Sequence, residues 1–364
     1  MMKATCPGVL YFISEIEHDG TPSANVKIGI IRDNERSRTV EERVSEHQTG
    51  NPRELRILFA ERSDLVERVE TDLHGEFSTL RWGGEWFHLP GNSLEEAVNA
   101  AKARIESANS LGPKVRHVES LASQESNDSY KSQMNDDLKV HADLKIVRKR
   151  VKLIDKRCAE LVAELHQRQQ SDHHKENWVL EVRRNGRISF DKANFELEQP
   201  ELFEAFHDEK VTLSGSFRLL NGNDSEISSS DIEGPRESFL LSKKVEGQSA
   251  ELHRDYLKLL SIQAELRWKA EELETALRLS CGTNSGIEGV CTWARKMKSK
   301  SVLNTDRLKL EFPEIYARYL IQSADSIVLI GRKDNGYRNP ALSTVAPLNE
   351  GVSFEPMGAQ EEAV

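Results

Sequence analysis

The sequence predicts an α+β protein, with a small mixed sheet and helices at the N-terminus and then a mainly helical region of two long heptad helices and two diverged repeats. Three observations carry this expectation. Up to about Ala108, short β-rich runs alternate with amphipathic helical runs. Two later segments hold apolar residues at alternating spacings of four and three, and each is followed by a shared signature.

In the first 108 residues, Val9 to Ile16 and Val26 to Ile31 are β-rich and flank the turn-forming Asp19-Gly20-Thr21-Pro22, which predicts a hairpin. Arg36 to Gln48 has helical spacing, and Leu55 to Ala60 predicts a third strand. Leu65, Val69, Leu73 and Phe77 lie four apart on one face of a second helix. Arg81-Trp82-Gly83-Gly84 turns the chain, Glu85 to Leu89 extends, and Ser93 with Glu96 suggests a capping box for a closing helix to Ala108. Residues 109–136 are rich in Ser, Asn, Gln and Glu and rarely place two apolar residues together, so a flexible linker is expected, with the head on a tether.

Val140, Leu144, Val147, Val151, Ile154, Cys158, Leu161 and Leu165 form one heptad seam. Leu252, Tyr256, Leu259, Gln263, Leu266, Ala270, Leu273 and Leu277 form another, 112 positions later. A tryptophan follows each, Trp178 or Trp293, and the run Phe195 to Phe206 matches Leu308 to Tyr319, with Pro200 and Pro313 113 apart. Residues 137–245 and 246–332 therefore read as two copies of one unit, with Asn221 to Arg236 a surface loop and 333–364 a mostly disordered tail. A heptad seam must be covered. The two helices can cover each other as an antiparallel pair within one chain, or a second chain can do so. A homodimer through these seams is the expectation.

With a formal net charge of -10 and 30% charged residues, the chain does not coat nucleic acid through bulk charge, so any DNA contact must be local. Val9 to Ile13 is the longest apolar run near the start, far short of a membrane span, and a cytoplasmic protein without a membrane partner is expected. The spacings of Cys6, Cys158, Cys281 and Cys291 match no zinc or redox pattern, which predicts reduced thiols. Basic residues concentrate at two places: Lys145, Arg148, Lys149, Arg150, Lys152, Lys156 and Arg157 surround a single acid, Asp155, and Arg295, Lys296, Lys298, Lys300, Arg307 and Lys309 surround Asp306. Lys149, Arg150, Lys152, Arg295, Lys296 and Lys298 are candidate DNA contacts, while solvated faces of coiled coils account for such charges equally well. His166, His173 and His174 read as a solvated helix end.

Residues 8–90 resemble the GIY-YIG endonuclease superfamily, in a phage- and bacteria-rich branch carrying Lys-Ile-Gly and Gly-Glu-Trp-Phe. Val9-Leu10-Tyr11 stands where the family has Gly-Ile-Tyr, and Lys27-Ile28-Gly29 where it has Tyr-Ile-Gly. Arg43 falls on the helical arginine, Gln48-Thr49-Gly50-Asn51-Pro52 follows, Glu70 falls on the metal-binding glutamate, and Gly84-Glu85-Trp86-Phe87 completes the order. The resemblance implies a DNA endonuclease using Mg²⁺ or Mn²⁺, in a phage or anti-phage setting. Glu70 would hold the cation, Tyr11 would orient or activate the attacking water, and Lys27 would hold that phenol or the phosphate.

The residue types suit that chemistry. Arg43 offers a permanent charge for phosphate oxygens, and His47, four residues on, shares its helix face and can pass protons near neutral pH. Glu85 stands where the superfamily often has a polar residue near the site. Glu70 and His74 also share a face and could be read as a metal pair, although Mg²⁺ favours oxygen ligands and Glu70 alone. The alternative is a non-catalytic DNA-binding or assembly protein with a degenerate head, which the substituted Val9-Leu10 and Lys27 would fit.

Overall fold

The computed structural model describes residues 6–33, 38–171, 178–220 and 238–333. Its N-terminal part is an antiparallel sheet with packed helices. The β1 strand (Gly8–Ile16) and β2 (Pro22–Arg32) form the hairpin, closed by Gly20 at φ 84° and by Asp19, which accepts from the Thr21 amide at 2.9 Å. With β3 (Leu55–Ser63), β4 (Arg81–Gly83) and β5 (Trp86–His88) the strand order is β3-β1-β2-β5-β4. Every named pair in this sheet is antiparallel, not mixed as the sequence suggested. Strand β3 does run in the direction of β2, but β1 lies between them, so no parallel ladder forms.

The first helix, α1 (Val40–Gln48), opens with a capping box: the Glu42 amide donates to Thr39 Oγ1 at 3.2 Å and the Thr39 amide to Glu42 Oε2 at 3.0 Å. The box expected at Ser93 does not form; the Glu96 amide donates instead to the Asn92 carbonyl. Helix α2 (Val66–Glu76) buries Val69 and Leu73 against the sheet, as its spacing required.

The linker expectation fails. Helix α3 (Ser93–Ala122) runs through Pro113 for 30 residues, and Gly112 permits a close approach in which a Cβ would lie 2.4 Å from that of Asp64. An interior proline costs roughly 3 kcal/mol. Leu111 and Val115 are buried in the head's core, and Val118 and Leu121 in the core of the next unit. At roughly 1.5–3 kcal/mol for each buried side chain, that burial outweighs the proline. The polar stretch that follows is held by backbone bonds rather than burial: the amides of Ser126, Asn127 and Lys131 donate to the carbonyls of Arg295, Thr283 and Gly286 at 2.8, 2.9 and 3.0 Å.

Helices α4 (Asn135–Ser171) and α8 (Ser249–Cys281) are the two heptad helices, and their seams pack on one another within the chain. They are antiparallel: Asp137 accepts from Ser280 at one end, Gln263 donates to Asp155 in the middle, and Arg168 donates to the Gly247 carbonyl at the other. The surface that argued for a homodimer is therefore already covered. The head is docked on this coil. Trp268 of α8 is buried in the head's core, Arg68 of α2 pairs with Glu271, and Ser78 Oγ donates to the Leu257 carbonyl at 3.1 Å.

The compact elements after each long helix contain strands that the sequence reading missed. Strand β8 (His207–Gly215) pairs with β12 (Arg295–Leu303) as one two-stranded arm. Strands β6 (Val179–Arg184) and β7 (Ile188–Phe190) pair with β14 (Ser326–Gly331) and β13 (Leu320–Gln322) as a second. Each arm takes one side from each copy, and the 113-residue offset converts one register into the other: His207↔Leu303 becomes Leu320↔Phe190, and Gly215↔Arg295 becomes Val328↔Val182. The repeat is thus a pseudo-twofold pair of interlocked units.

The first arm is rooted at the α8 C-terminus, where Arg295 donates to the Gly282 carbonyl; the second is rooted about 40 Å away along the helix, where Tyr256 donates to the Gly331 carbonyl. Both arms meet in a separate core formed by α5 (Lys192–Glu198), α6 (Pro200–Ala205), α9 (Thr305–Glu311) and α10 (Pro313–Arg318), centred on Phe195, Phe206, Leu303, Leu308 and Tyr319. The equivalents Asp191 and Asn304 cap α5 and α9 in the same way, accepting from the amides of Asn194 and Arg307.

Two short pairs, β9 (Arg218–Leu219) with β11 (Cys291–Thr292) and β11 with β10 (Gly286–Ile287), close the first root. Helix α7 (Ser238–Ser242) packs beside α4. The four cysteines are free thiols; Cys281 and Cys291 come together with sulfurs 3.6 Å apart. No helix among the described residues is long and apolar enough to cross a membrane. The expected loop at 221–236 and tail from 334 on lie outside the described residues.

Candidate active site

Strands β1 and β2, helices α1 and α2 and the β4–β5 turn each bring a side chain to one small cavity of about 150 Å³, lined by Tyr11, Ile30, Ile31, Arg32, Arg38, Arg43, Glu70 and Glu85. Tyr11 is 1% exposed and sits directly across the hairpin from Gly29. A Cβ on Gly29 would lie 2.7 Å from the Tyr11 hydroxyl, so the glycine of Lys27-Ile28-Gly29 is what lets the phenol lie across the sheet. Burial raises the Tyr11 pKa, while a hydrogen bond from Arg43 and its charge oppose the rise. Arg43 pairs with Glu46 on its own helix at 2.6 Å and, together with the Tyr11 bond, that pair holds the guanidinium firmly charged against its desolvation.

Glu70 is the unusual group. It has no hydrogen-bond or ion-pair partner among the described residues, and burial, then the charge of Glu85, push its carboxyl up to about 7. Glu85 is the opposite case: burial works against its charge, but the hydrogen bond and charge of Lys27 hold it below the ordinary carboxylate value. Lys27 is thus committed to Glu85, and Glu70 faces the cavity with no bonded partner, only the charges of Arg32 and Lys27 opposing its rise. Among the described residues no three His, Cys, Asp or Glu side chains group as a metal cage. Two carboxylates on one small cavity, one of them half-buried and unpartnered, suit a hard divalent cation that keeps most of its coordination in water.

His47 lies beside Lys27 and Arg43, whose charges add to burial in lowering its pKa, and its buried Nε2 has no partner. His74 does not join Glu70. Its Nε2 lies 3.0 Å from the Ile28 carbonyl, its ring packs on Phe87, and burial first, then Arg81, lowers it to about 4, so it is a neutral structural donor. The cavity also includes Arg38, which the sequence reading passed over; its position one residue before the Thr39 cap is the signal that would have placed it at the mouth of α1.

The six DNA-contact candidates fare differently. Arg295 is 1% exposed, stacks on Trp293 and donates to the carbonyls of Gln124, Gly282 and Trp293, so it is a buried structural cation and not a phosphate contact. Lys296 and Lys298 are exposed on β12, the former paired with Asp128 at 2.6 Å. Lys149 is half-exposed, while Arg150 faces α8 beside Trp268 and Lys152 lines a cavity between α4, α8 and the head; their stripe is further broken because Arg148 pairs with Glu274 and Arg157 is buried, donating to the carbonyls of Leu240 and Lys243. His166 bonds Glu181; His173 and His174 lie outside the described residues. No family model, curated protein or solved structure matches this chain.

Proposed function

We propose that this chain is a metal-dependent DNA endonuclease of the GIY-YIG type, with the cavity between β1, β2, α1 and α2 as its active site. The observation that carries the reading is Glu70, a half-buried, unpartnered carboxyl raised to about 7, which shares a cavity with the hydrogen-bonded pair of Tyr11 and Arg43. A structural carboxylate is ordinarily paired; one kept unpaired among cations and a phenol is a ligand in waiting.

Each side chain then has a task. Tyr11, a phenol at neutral pH, orients the attacking water through its hydroxyl. Arg43 and, at the mouth, Arg38 set positive charge where the phosphate oxygens gain negative charge. His47, kept neutral, is available as a proton acceptor. Lys27 fixes Glu85, which keeps that carboxylate ionised across the cavity from Glu70. Glu70 would hold Mg²⁺ or Mn²⁺, which would supply Lewis-acid stabilisation of the negative charge that develops in hydrolysis.

The test is incubation of the purified chain with supercoiled plasmid in Mg²⁺ or in EDTA. Nicking or cutting is expected in Mg²⁺ only, and the Glu70→Gln variant should lose it with unchanged far-UV dichroism. Full cutting by that variant, or in EDTA, overturns the assignment.

A further inference from the structure

The first arm carries a charge arrangement that its own fold does not need. Cross-strand partners point to the same face of a ribbon, so Lys210, Thr212 and Ser214 of β8 share a face with Lys300, Lys298 and Lys296 of β12. Lys210 is directly opposite Lys300, which places their Cβ atoms about 5 Å apart, and Lys298 is the diagonal neighbour at roughly 7–8 Å. Like charges directly opposite destabilise a ladder. Lys210, Lys298 and Lys300 have no ion-pair partner among the described residues, and Asp208 on the same face is already engaged by Asn304 at 2.5 Å and by Arg307.

The repeat supplies an internal comparison. At the positions that the 113-residue offset makes equivalent, the second arm has Ser323 for Lys210, Asn185 for Lys298 and Arg187 for Lys300, and its Arg183 is paired with Asp325 at 2.7 Å. The second ladder is interrupted at these positions, between Arg184 and Ile188 and between Gln322 and Ser326, so only the first arm carries a continuous ladder through its crowded lysines, and it retains a repulsion that an anionic partner would relieve. The arm is also free to meet one: β12 is exposed on both faces from Lys296 to Val302, and β8 from Asp208 to Thr212.

We infer that the β8–β12 ribbon is a nucleic-acid-binding arm, and that its Lys210, Lys298 and Lys300 face holds the phosphates of duplex DNA at a site separate from the head. The inference rests on the reading of this chain as one that acts on DNA. Two features favour duplex over single strands. A ribbon of nine paired residues is about 30 Å long and of the width that a major groove admits. Its basic face has lysine, threonine and serine but no aromatic ring on which unpaired bases would stack.

The experiment is fluorescence anisotropy of the full chain with a labelled 30-base-pair duplex and, separately, a single strand, in EDTA from 50 to 300 mM salt. The Lys210→Gln/Lys298→Gln/Lys300→Gln variant should bind duplex at least about tenfold more weakly at 100 mM salt, with the slope of log affinity against log salt smaller by about 2–3, one for each lost phosphate contact. Its melting temperature should stay level or rise, since a repulsion is removed. An unchanged slope in the triple variant, a preference for the single strand, or no duplex binding at all overturns the arm while leaving the cleavage assay to judge the head. Absent cleavage with lysine-dependent duplex binding sinks the nuclease reading and keeps the arm.

Discussion

Gly29 faces Tyr11 across the β1–β2 hairpin, and the place its Cβ would take lies 2.7 Å from the phenol oxygen. The strand pair thus sets the position of a site residue by what one of its members lacks. Gly29→Ala should force the ring away from Arg43 at a cost of about 1–3 kcal/mol in stability, the usual penalty of overpacking. Chemical denaturation reads that cost, and plasmid cleavage should fall further than the stability loss accounts for. A variant as stable and as active as the parent would show that the ring has room to spare.

Glu70 makes the metal-free protein sensitive to pH in a definite direction. Its folded pKa of about 7 lies above the unfolded value near 4.3, so the folded state holds the proton more tightly. Stability from this group is complete below the unfolded value and is lost as pH rises through about 7. Asp72, raised to about 7 chiefly by burial, acts in the same direction. The melting temperature in EDTA should therefore fall from pH 5 to pH 8, and less steeply in Glu70→Gln. Mg²⁺ at pH 8 should raise it for the unmodified chain and not for the variant; equal Mg²⁺ responses would remove Glu70 from the cation site.

Arg43 divides its donors between Glu46 and Tyr11, so it positions the phenol as well as offering charge to a phosphate. Replacing it by alanine should reduce cleavage by roughly 10²–10³-fold, the scale of losing one preorganised charge donor in a transition state. Duplex binding should change little, because the arm lysines lie on a different element. If single-turnover cleavage and anisotropy show equal losses, Arg43 is an ordinary phosphate anchor.

The head was legible because its signals are local: alternating strands, a four-spaced helix face at Leu65, Val69, Leu73 and Phe77, and polar residues at fixed offsets from them. What Lys27 does was not legible, since its pairing with Glu85 depends on β5 docking beside β2. The arms escaped notice for a physical reason. A two-stranded ribbon exposed on both faces buries neither, so His207 to Gly215 and Arg295 to Leu303 carry no regular apolar alternation. The helix was expected to close at Ala108 because residues 109–136 are polar, and only the packing of Leu111, Val115, Val118 and Leu121 carries it on through Gly112-Pro113. The heptad seams were correct in register, yet a seam facing a second chain and a seam facing its own repeat look alike in sequence.

Trp268 shows why head and coil should unfold as one. It belongs to α8, is buried in the head's core, donates its indole N–H to Glu272 Oε1 at 2.8 Å and lies 4.9 Å under the Arg68 guanidinium. Beside it, Gly75 of α2 approaches α8 closely enough that a Cβ would lie 3.0 Å from that of Ala264. Removing the indole takes apolar contact from both units at once and leaves the Arg68–Glu271 pair without its cover. Trp268→Ala should cost roughly 3–5 kcal/mol, as large aromatic truncations do. The loss should appear as one cooperative transition shifted downward, followed equally by far-UV dichroism, dominated by the coil, and by a fluorophore on the head. Two separated transitions in the unmodified chain, or a coil transition that the variant leaves in place, would mean that the head is docked without being part of the same folding unit.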